Sequence, residues 1–180
     1  MSLLILIFRL IAGCDVNVVN SLNEFPIELA IKLNKIQILD ALLKSKTMSN
    51  LLLDCLSNGF RPLLDACEND FTEVAIKLAN AGANVNIEDE NYLNWTPIMY
   101  AISNLNEKLI SVLIANGSNV NHVDDEMNTP LHIATETENE YIVKILLNAG
   151  VKKNLLNNEK MTPKDIAKAN EDETMLSLLK

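Results

Sequence analysis

No run of about 20 consecutive apolar residues occurs in this sequence, so no membrane-crossing helix is expected. Aromatic residues are scarce too, at 4% against 48% apolar overall. A core built mainly from Leu, Ile, Val and Ala suits small packed helices. Basic residues are outnumbered, with 15 Lys and Arg against 24 Asp and Glu, a net charge of −9 and a pI near 4.7. Nucleic acid is therefore not expected as a partner, because phosphate binding needs clustered cations. The same balance favours a basic protein surface. The three cysteines, Cys14, Cys55 and Cys67, are odd in number and form no C-x-x-C. They read as reduced thiols in a cytoplasmic protein, with no redox or metal role. No glycine-rich phosphate loop, paired Cys/His ligand set or nucleophile elbow is present. No cofactor, metal or catalytic residue is expected, and the chain does not read as an enzyme.

What the sequence does contain is a recurring word. All five prolines fall in it: Phe25-Pro26-Ile27-Glu28-Leu29-Ala30, Arg61-Pro62-Leu63-Leu64-Asp65-Ala66, Thr96-Pro97-Ile98-Met99-Tyr100-Ala101, Thr129-Pro130-Leu131-His132-Ile133-Ala134 and Thr162-Pro163-Lys164-Asp165-Ile166-Ala167. The steps between the last three prolines are equal, and the two before them are slightly longer. Gly82, Gly117 and Gly150 each stand at one fixed distance after a Pro, where the first copy has Lys46. Four residues later stands Asn50, Asn86, Asn121 or Asn154. The segment from Pro to that Asn is thus constant in length. The segment from Asn to the next Pro is not: Asn50 to Pro62 and Asn86 to Pro97 are longer than Asn121 to Pro130 and Asn154 to Pro163. A packed helix pair does not change length without shifting its core, whereas a surface loop does so freely. Pro-to-Asn is therefore read as a helix pair and Asn-to-Pro as a projecting finger.

The residue types fit those positions. Proline suits the first helical turn, where its missing N–H costs nothing. Thr96, Thr129 and Thr162 precede it as N-caps, while Phe25 and Arg61 depart from that pattern. The glycines suit a left-handed C-cap after the second helix.

This pattern resembles the ankyrin repeat, whose signature is T-P-L-H-x-A at a period of about 33 residues. The copy at Thr129–Ala134 matches it in full, and the resemblance covers essentially the whole chain. The fold it implies is all-α: an ankyrin-repeat solenoid of stacked antiparallel helix pairs with projecting β-hairpin or loop fingers. Helix pairs are expected near 26–45, 62–81, 97–116, 130–149 and 163–179. The organisation is one domain over 1–180, with a half repeat at 1–16 and full repeats at about 17–49, 50–85, 86–120 and 121–153. A capping repeat follows at 154–180, where Lys164, Asp165 and Lys168 place charge at positions apolar in earlier copies. No glycine separates the two helices of any repeat, and only Gly59 fills the family's glycine before x-T-P.

Two stretches stand apart. Residues 3–11 are apolar on every helical face, which points to self-association or to missing upstream sequence. They also admit a signal-peptide reading, with Ile11-Ala12-Gly13-Cys14 resembling a lipoprotein cleavage box. The register favours a half repeat instead, because Gly13 and Asn17 precede Pro26 as Gly117 and Asn121 precede Pro130. Leu51–Leu56 is too apolar for an ordinary exposed finger and is expected to fold onto a neighbouring repeat, the alternative being a sticky surface patch.

The resemblance implies a non-enzymatic module that binds a protein partner through finger tips and a concave inner-helix face. The alternatives are an N-terminally processed or lipidated protein, secreted or directed to a host cytosol, and a targeting part of a larger enzyme or assembly. The candidate partner site comprises Tyr92, Leu93 and Trp95 on one finger and Asp124, Asp125, Glu126 and Asn128 on the next. Ser103, Asn104, Glu136 and Thr137 lie at the inner-helix ends behind them. Aromatic anchors ringed by charge are what interface hot spots look like, and the acids, Glu88, Asp89 and Glu90 among them, would steer a basic partner. The competing reading is that Trp95 and Tyr92 pack on each other to stiffen a long loop. His132 is expected to join hydrogen bonds between repeats, and His122 to be polar decoration. Asn94-Trp95-Thr96 and Asn116-Gly117-Ser118 match the glycosylation pattern and are read as accidental.

Overall fold

The structure, a computed structural model, describes residues 18–45 and 59–180. The half repeat at 1–16, the apolar stretch at 3–11, the Leu51–Leu56 finger, Cys14 and Cys55 lie outside the described residues. The described residues carry ten helices in five pairs: α1 (Pro26–Lys32) with α2 (Ile36–Leu43), α3 (Pro62–Glu68) with α4 (Thr72–Asn80), α5 (Pro97–Ser103) with α6 (Glu107–Ala115), α7 (Pro130–Glu136) with α8 (Glu140–Asn148), and α9 (Pro163–Ala169) with α10 (Glu173–Leu178). Every proline opens a helix, as its missing N–H and fixed φ require.

Two compact units result, one ending at Asn84 and one beginning at Val85. In the first, α1 packs on α3 and α2 on α4. In the second, α5, α7 and α9 stack in sequence, and so do α6, α8 and α10. Ala30, Ala66, Ala101, Ala134 and Ala167 are all buried at the same point of the first helix. A larger side chain there would hold the neighbouring helices apart. Cys67 is buried and free, and burial pushes its thiol far above the usual range, so it is inert. In the first unit the Lys32 ammonium ties the buried Glu28 and stands over the Phe60 ring.

The turn between paired helices lacks glycine yet takes a glycine conformation. Asn34, Asp70, Leu105, Glu138 and Glu171, each eight residues after a Pro, have φ of 48°, 51°, 56°, 56° and 56°. The next residue donates its N–H back to the alanine carbonyl: Lys35 to Ala30, Phe71 to Ala66, Asn106 to Ala101 and Asp172 to Ala167. These bonds close the helix end in a Schellman-type arrangement and hold the strained residue in place. Gly117, at φ 90°, ends the second helix as the sequence predicts.

The fingers are loops. Among the described residues the β-pairing is a single bridge, Asp89 to Trp95. Each described finger turns instead on one Asn or Asp. Asn20, Asp124 and Asn157 stand six residues before a Pro and accept two backbone N–H groups each through the side chain. Asp89 plays this part from eight residues before, in the longer finger, accepting from Asn91 N–H. The side chain thus replaces the hairpin ladder as the organiser of the turn.

Candidate partner-binding site

The second unit holds every residue of the expected site. Its three fingers, 86–95, 121–128 and 154–161, are tied side by side by backbone. Asp125 N–H donates to Leu93 C=O at 3.0 Å, and Asn158 N–H donates to Glu126 C=O at 2.9 Å. Below them Asn86 accepts from Asn119 N–H at 2.6 Å, and Asn121 from Lys152 N–H at 2.7 Å. At Asn86 and Asn121 the Asn that marks the repeat in sequence is thus a clamp onto the following repeat.

Trp95 does not stand free at the finger. Its ring meets Tyr92 edge-on at 5.0 Å and Tyr100 at 5.3 Å, and its indole N–H donates to Asp124 Oδ2 at 3.0 Å. Tyr100 donates its hydroxyl to Asp89 Oδ2 at 2.7 Å. The three rings and two carboxylates close the long finger onto its own stem and onto the next finger. This is the stiffening arrangement, with Tyr92 the most open of the three rings at 49% exposed.

Two of the expected acids need correction. Asp124 and Asp89 are each 4% exposed and face inward, because their oxygens are used by turn N–H groups and by Trp95 or Tyr100. They are structural carboxylates and add little to an outward field. Asp125, Glu126, Glu88 and Glu90 remain accessible. Asp125 accepts from Asn94 Nδ2 at 2.7 Å, and His122 Nε2 bonds Asn94 C=O at 3.0 Å, so His122 also joins two fingers. Leu93 and Asn94 both have positive φ, at 50° and 53°, in the turn that Trp95 N–H closes on Tyr92 C=O. Ser103 and Asn104 are exposed at the end of α5. Thr137 is half-buried and bonds Ala134 C=O.

Three of the expected residues do come together. Glu126, Asn128 and Glu136 line one polar cleft of about 220 Å³ with Asn157, Asn158 and Glu159. Asn157 Nδ2 donates to Asn128 Oδ1 at 3.0 Å, fixing the floor. Glu136 is open at its surface, yet its carboxyl is held above the usual glutamate range. Desolvation against the cleft is the main cause, followed by the like charges of Glu126, Glu159 and Asp124. Glu159 and the two asparagines were not singled out from sequence. The signal was present, since Asn157-Asn158-Glu159 stands one repeat after Asp124-Asp125-Glu126, in the same place before its Pro.

His132 lies behind this face, fully buried. Its Nδ1 accepts from Thr129 N–H at 3.1 Å and its Nε2 reaches Met161 C=O at 3.1 Å, which sets the Nε2–H tautomer. Burial holds its pKa below the ordinary value, and the Met161 carbonyl opposes this. The equivalent Met99 offers no such group, and Thr96 Oγ1 is buried with no hydrogen-bond partner among the described residues. Thr96 is therefore not the side-chain cap expected of it, whereas Thr129 and Thr162 are. The hydroxyls of both glycosylation-like triplets, Thr96 and Ser118, are buried.

Stacked helix pairs joined by laterally bonded loops define a helical-repeat protein. A protein-family model described as ankyrin repeats, three copies, matches residues 3–89 and again 88–157, so the chain belongs to the ankyrin repeat family. No curated protein matches it. Ankyrin repeats are generally protein–protein interaction modules and are typically non-enzymatic. Among the described residues no helix is long and apolar enough to cross a membrane, and no His, Cys, Asp and Glu group is arranged to hold a metal.

Proposed function

We propose that this chain is a non-enzymatic interaction module that binds a basic segment of another protein in the cleft between the 121–128 and 154–161 fingers. The supporting observation is the convergence of Glu126, Glu136 and Glu159 around about 220 Å³, with the carboxamides of Asn128, Asn157 and Asn158 between them. Carboxylates pair with ammonium or guanidinium groups, and Asn158 Oδ1, with the second lone pair of Asn128 Oδ1, accepts remaining N–H donors. Glu136 gains most, because a cation relieves the like-charge crowding that helps raise its pKa. Asp125, Glu88 and Glu90 on the neighbouring fingers add steering charge. Trp95 serves this reading as a brace that fixes the spacing of the fingers, and Tyr92 is the aromatic left open to a partner.

The test uses the whole chain. A Lys/Arg-rich peptide titrated into it should bind with an affinity that falls steeply with salt. Glu126→Gln with Glu159→Gln should weaken it about tenfold or more. Unchanged affinity in that double variant, with circular dichroism intact, removes the cleft from the site. A pull-down with the intact chain then identifies the natural partner.

A further inference from the structure

The cleft between the 121–128 and 154–161 fingers has three carboxylates and no cation in its lining. Glu126, Glu136 and Glu159 line it, and none of them makes an ion pair among the described residues. The charges that act on the Glu136 carboxyl are all negative, those of Glu126, Glu159 and Asp124. Lys160 follows Glu159 in the chain, but it lies outside the lining and pairs with none of the three. At about 220 Å³ the cleft is smaller than the roughly 300–1,000 Å³ of a small-molecule site, so it takes a single side chain.

The hydrogen bonds inside the cleft leave particular acceptors open. Asn157 Oδ1 is occupied by the N–H groups of Glu159 and Met161, and Asn157 Nδ2 donates to Asn128 Oδ1. Glu126 Oε2 accepts from Asn128 Nδ2 at 3.3 Å, which leaves Oε1. Asn158 donates its Nδ2 to Asp125 C=O at 3.2 Å, which leaves its Oδ1. The carboxylates of Glu136 and Glu159 accept no hydrogen bond among the described residues. Open acceptors therefore stand on Glu126, Glu136, Glu159 and Asn158, with the second lone pair of Asn128 Oδ1. The three carboxylates are not arranged to share one metal ion, so they do not converge on a point.

We infer that the side chain this cleft takes from its partner is an arginine rather than a lysine, its guanidinium spread across those open acceptors. The inference rests on the reading that the cleft binds a basic segment, and names the residue. A lysine ammonium is a compact charge with three donors on one nitrogen, and acceptors that do not converge cannot share it. A guanidinium carries five donors on three nitrogens in one plane, so it reaches acceptors set apart from one another. It is also more weakly hydrated than an ammonium, which lowers the cost of entering a cleft that already desolvates Glu136. Asn158 Oδ1 separates the two cations further, because a neutral acceptor adds a hydrogen bond to a fork that has donors to spare.

The probes are two Gly/Ser peptides of one sequence and equal charge, one with arginine and one with lysine at every basic position. Each is titrated into the full chain by calorimetry and two-dimensional NMR. The arginine peptide should bind about tenfold or more tighter, and should shift the side-chain amide signals of Asn128 and Asn158. Asn158→Ala should weaken the arginine peptide about threefold or more and leave the lysine peptide unchanged. Dimethylation of the arginines keeps their charge but blocks their donors, so affinity should fall to that of the lysine peptide. Equal affinity of the two peptides, both weakened by Glu126→Gln with Glu159→Gln, overturns the arginine assignment and leaves the basic-segment reading standing. Failure of both peptides to bind removes both readings. An arginine preference that survives Asn158→Ala and dimethylation unchanged also overturns the assignment, since it then comes from outside the cleft. Asn158 is exposed and its backbone bond to Glu126 does not depend on its side chain, so the variant keeps its fold, and circular dichroism checks this.

Discussion

The indole N–H of Trp95 lies 3.0 Å from Asp124 Oδ2, across the boundary between two repeats. One repeat later the same pair of positions is Asn128 and Asn157, bonded at 3.0 Å. The residues two before Pro97 and two before Pro130 therefore each reach the residue that organises the next finger. Finger spacing in this unit is set by these side-chain links as well as by helix packing.

Trp95→Phe keeps the ring between Tyr92 and Tyr100 but removes the donor. Asp124 then loses one of its buried partners, and stability should fall by about 1–2 kcal/mol. Urea unfolding followed by circular dichroism measures it. A loss near zero would mean the indole bond contributes nothing to the finger array.

Thr96 and Thr129 occupy the same slot with opposite satisfaction. Thr129 caps His132, whereas the Thr96 hydroxyl is buried and unpartnered among the described residues. Thr129→Val should cost about 1–2 kcal/mol. Thr96→Val removes a buried hydroxyl that has no acceptor, and should be neutral or stabilising by up to about 1 kcal/mol. Equal losses in the two melting curves would contradict this.

His132 gives a pH signature. Its folded-state pKa is depressed, so below the ordinary value near 6.5 the unfolded chain binds more protons than the folded one. Stability is therefore full above that pH and declines as pH falls through it. His132→Gln should flatten the slope just below about pH 6.5. Asp165, depressed by its bonds to Thr162, acts in the same direction but below the ordinary aspartate range, so the two windows separate.

Leu105 sits at φ 56° in a turn where glycine carries no steric penalty. Leu105→Gly should stabilise the protein by roughly 1 kcal/mol, because the left-handed penalty is relieved at an exposed position. Thermal unfolding decides the sign, and a lowered midpoint would show that packing of the leucine side chain outweighs the strain.

Glu136 should set stability against binding. Its raised pKa means the carboxylate is disfavoured in the fold, a cost that grows as pH rises above the ordinary glutamate range. Glu136→Gln should raise the unfolding midpoint at neutral pH and weaken the Lys/Arg-rich peptide. For the wild type, peptide affinity should climb with pH as Glu136 ionises. A binding curve flat with pH would detach Glu136 from the site.

The repeat, its register and the helix pairs were legible in the sequence by itself, because each rests on local chemistry. Pro26, Pro62, Pro97, Pro130 and Pro163 open helices for reasons contained in one residue, and Gly117 closes one. Insertions announce the fingers because a loop changes length without shifting a core. The exposure of a carboxylate is not local in this sense. Asp124 and Asp125 are adjacent and chemically alike, yet one is 4% exposed and the other open, because Trp95, from the preceding repeat, lies across the first. The left-handed turns at Leu105 and Glu138 were equally hidden, since neither side chain favours that conformation and packing of the joined helices imposes it. Only the stacked structure brought Glu126, Glu136 and Glu159 to one cleft, because stacking equal repeats places finger beside finger and inner-helix end behind them.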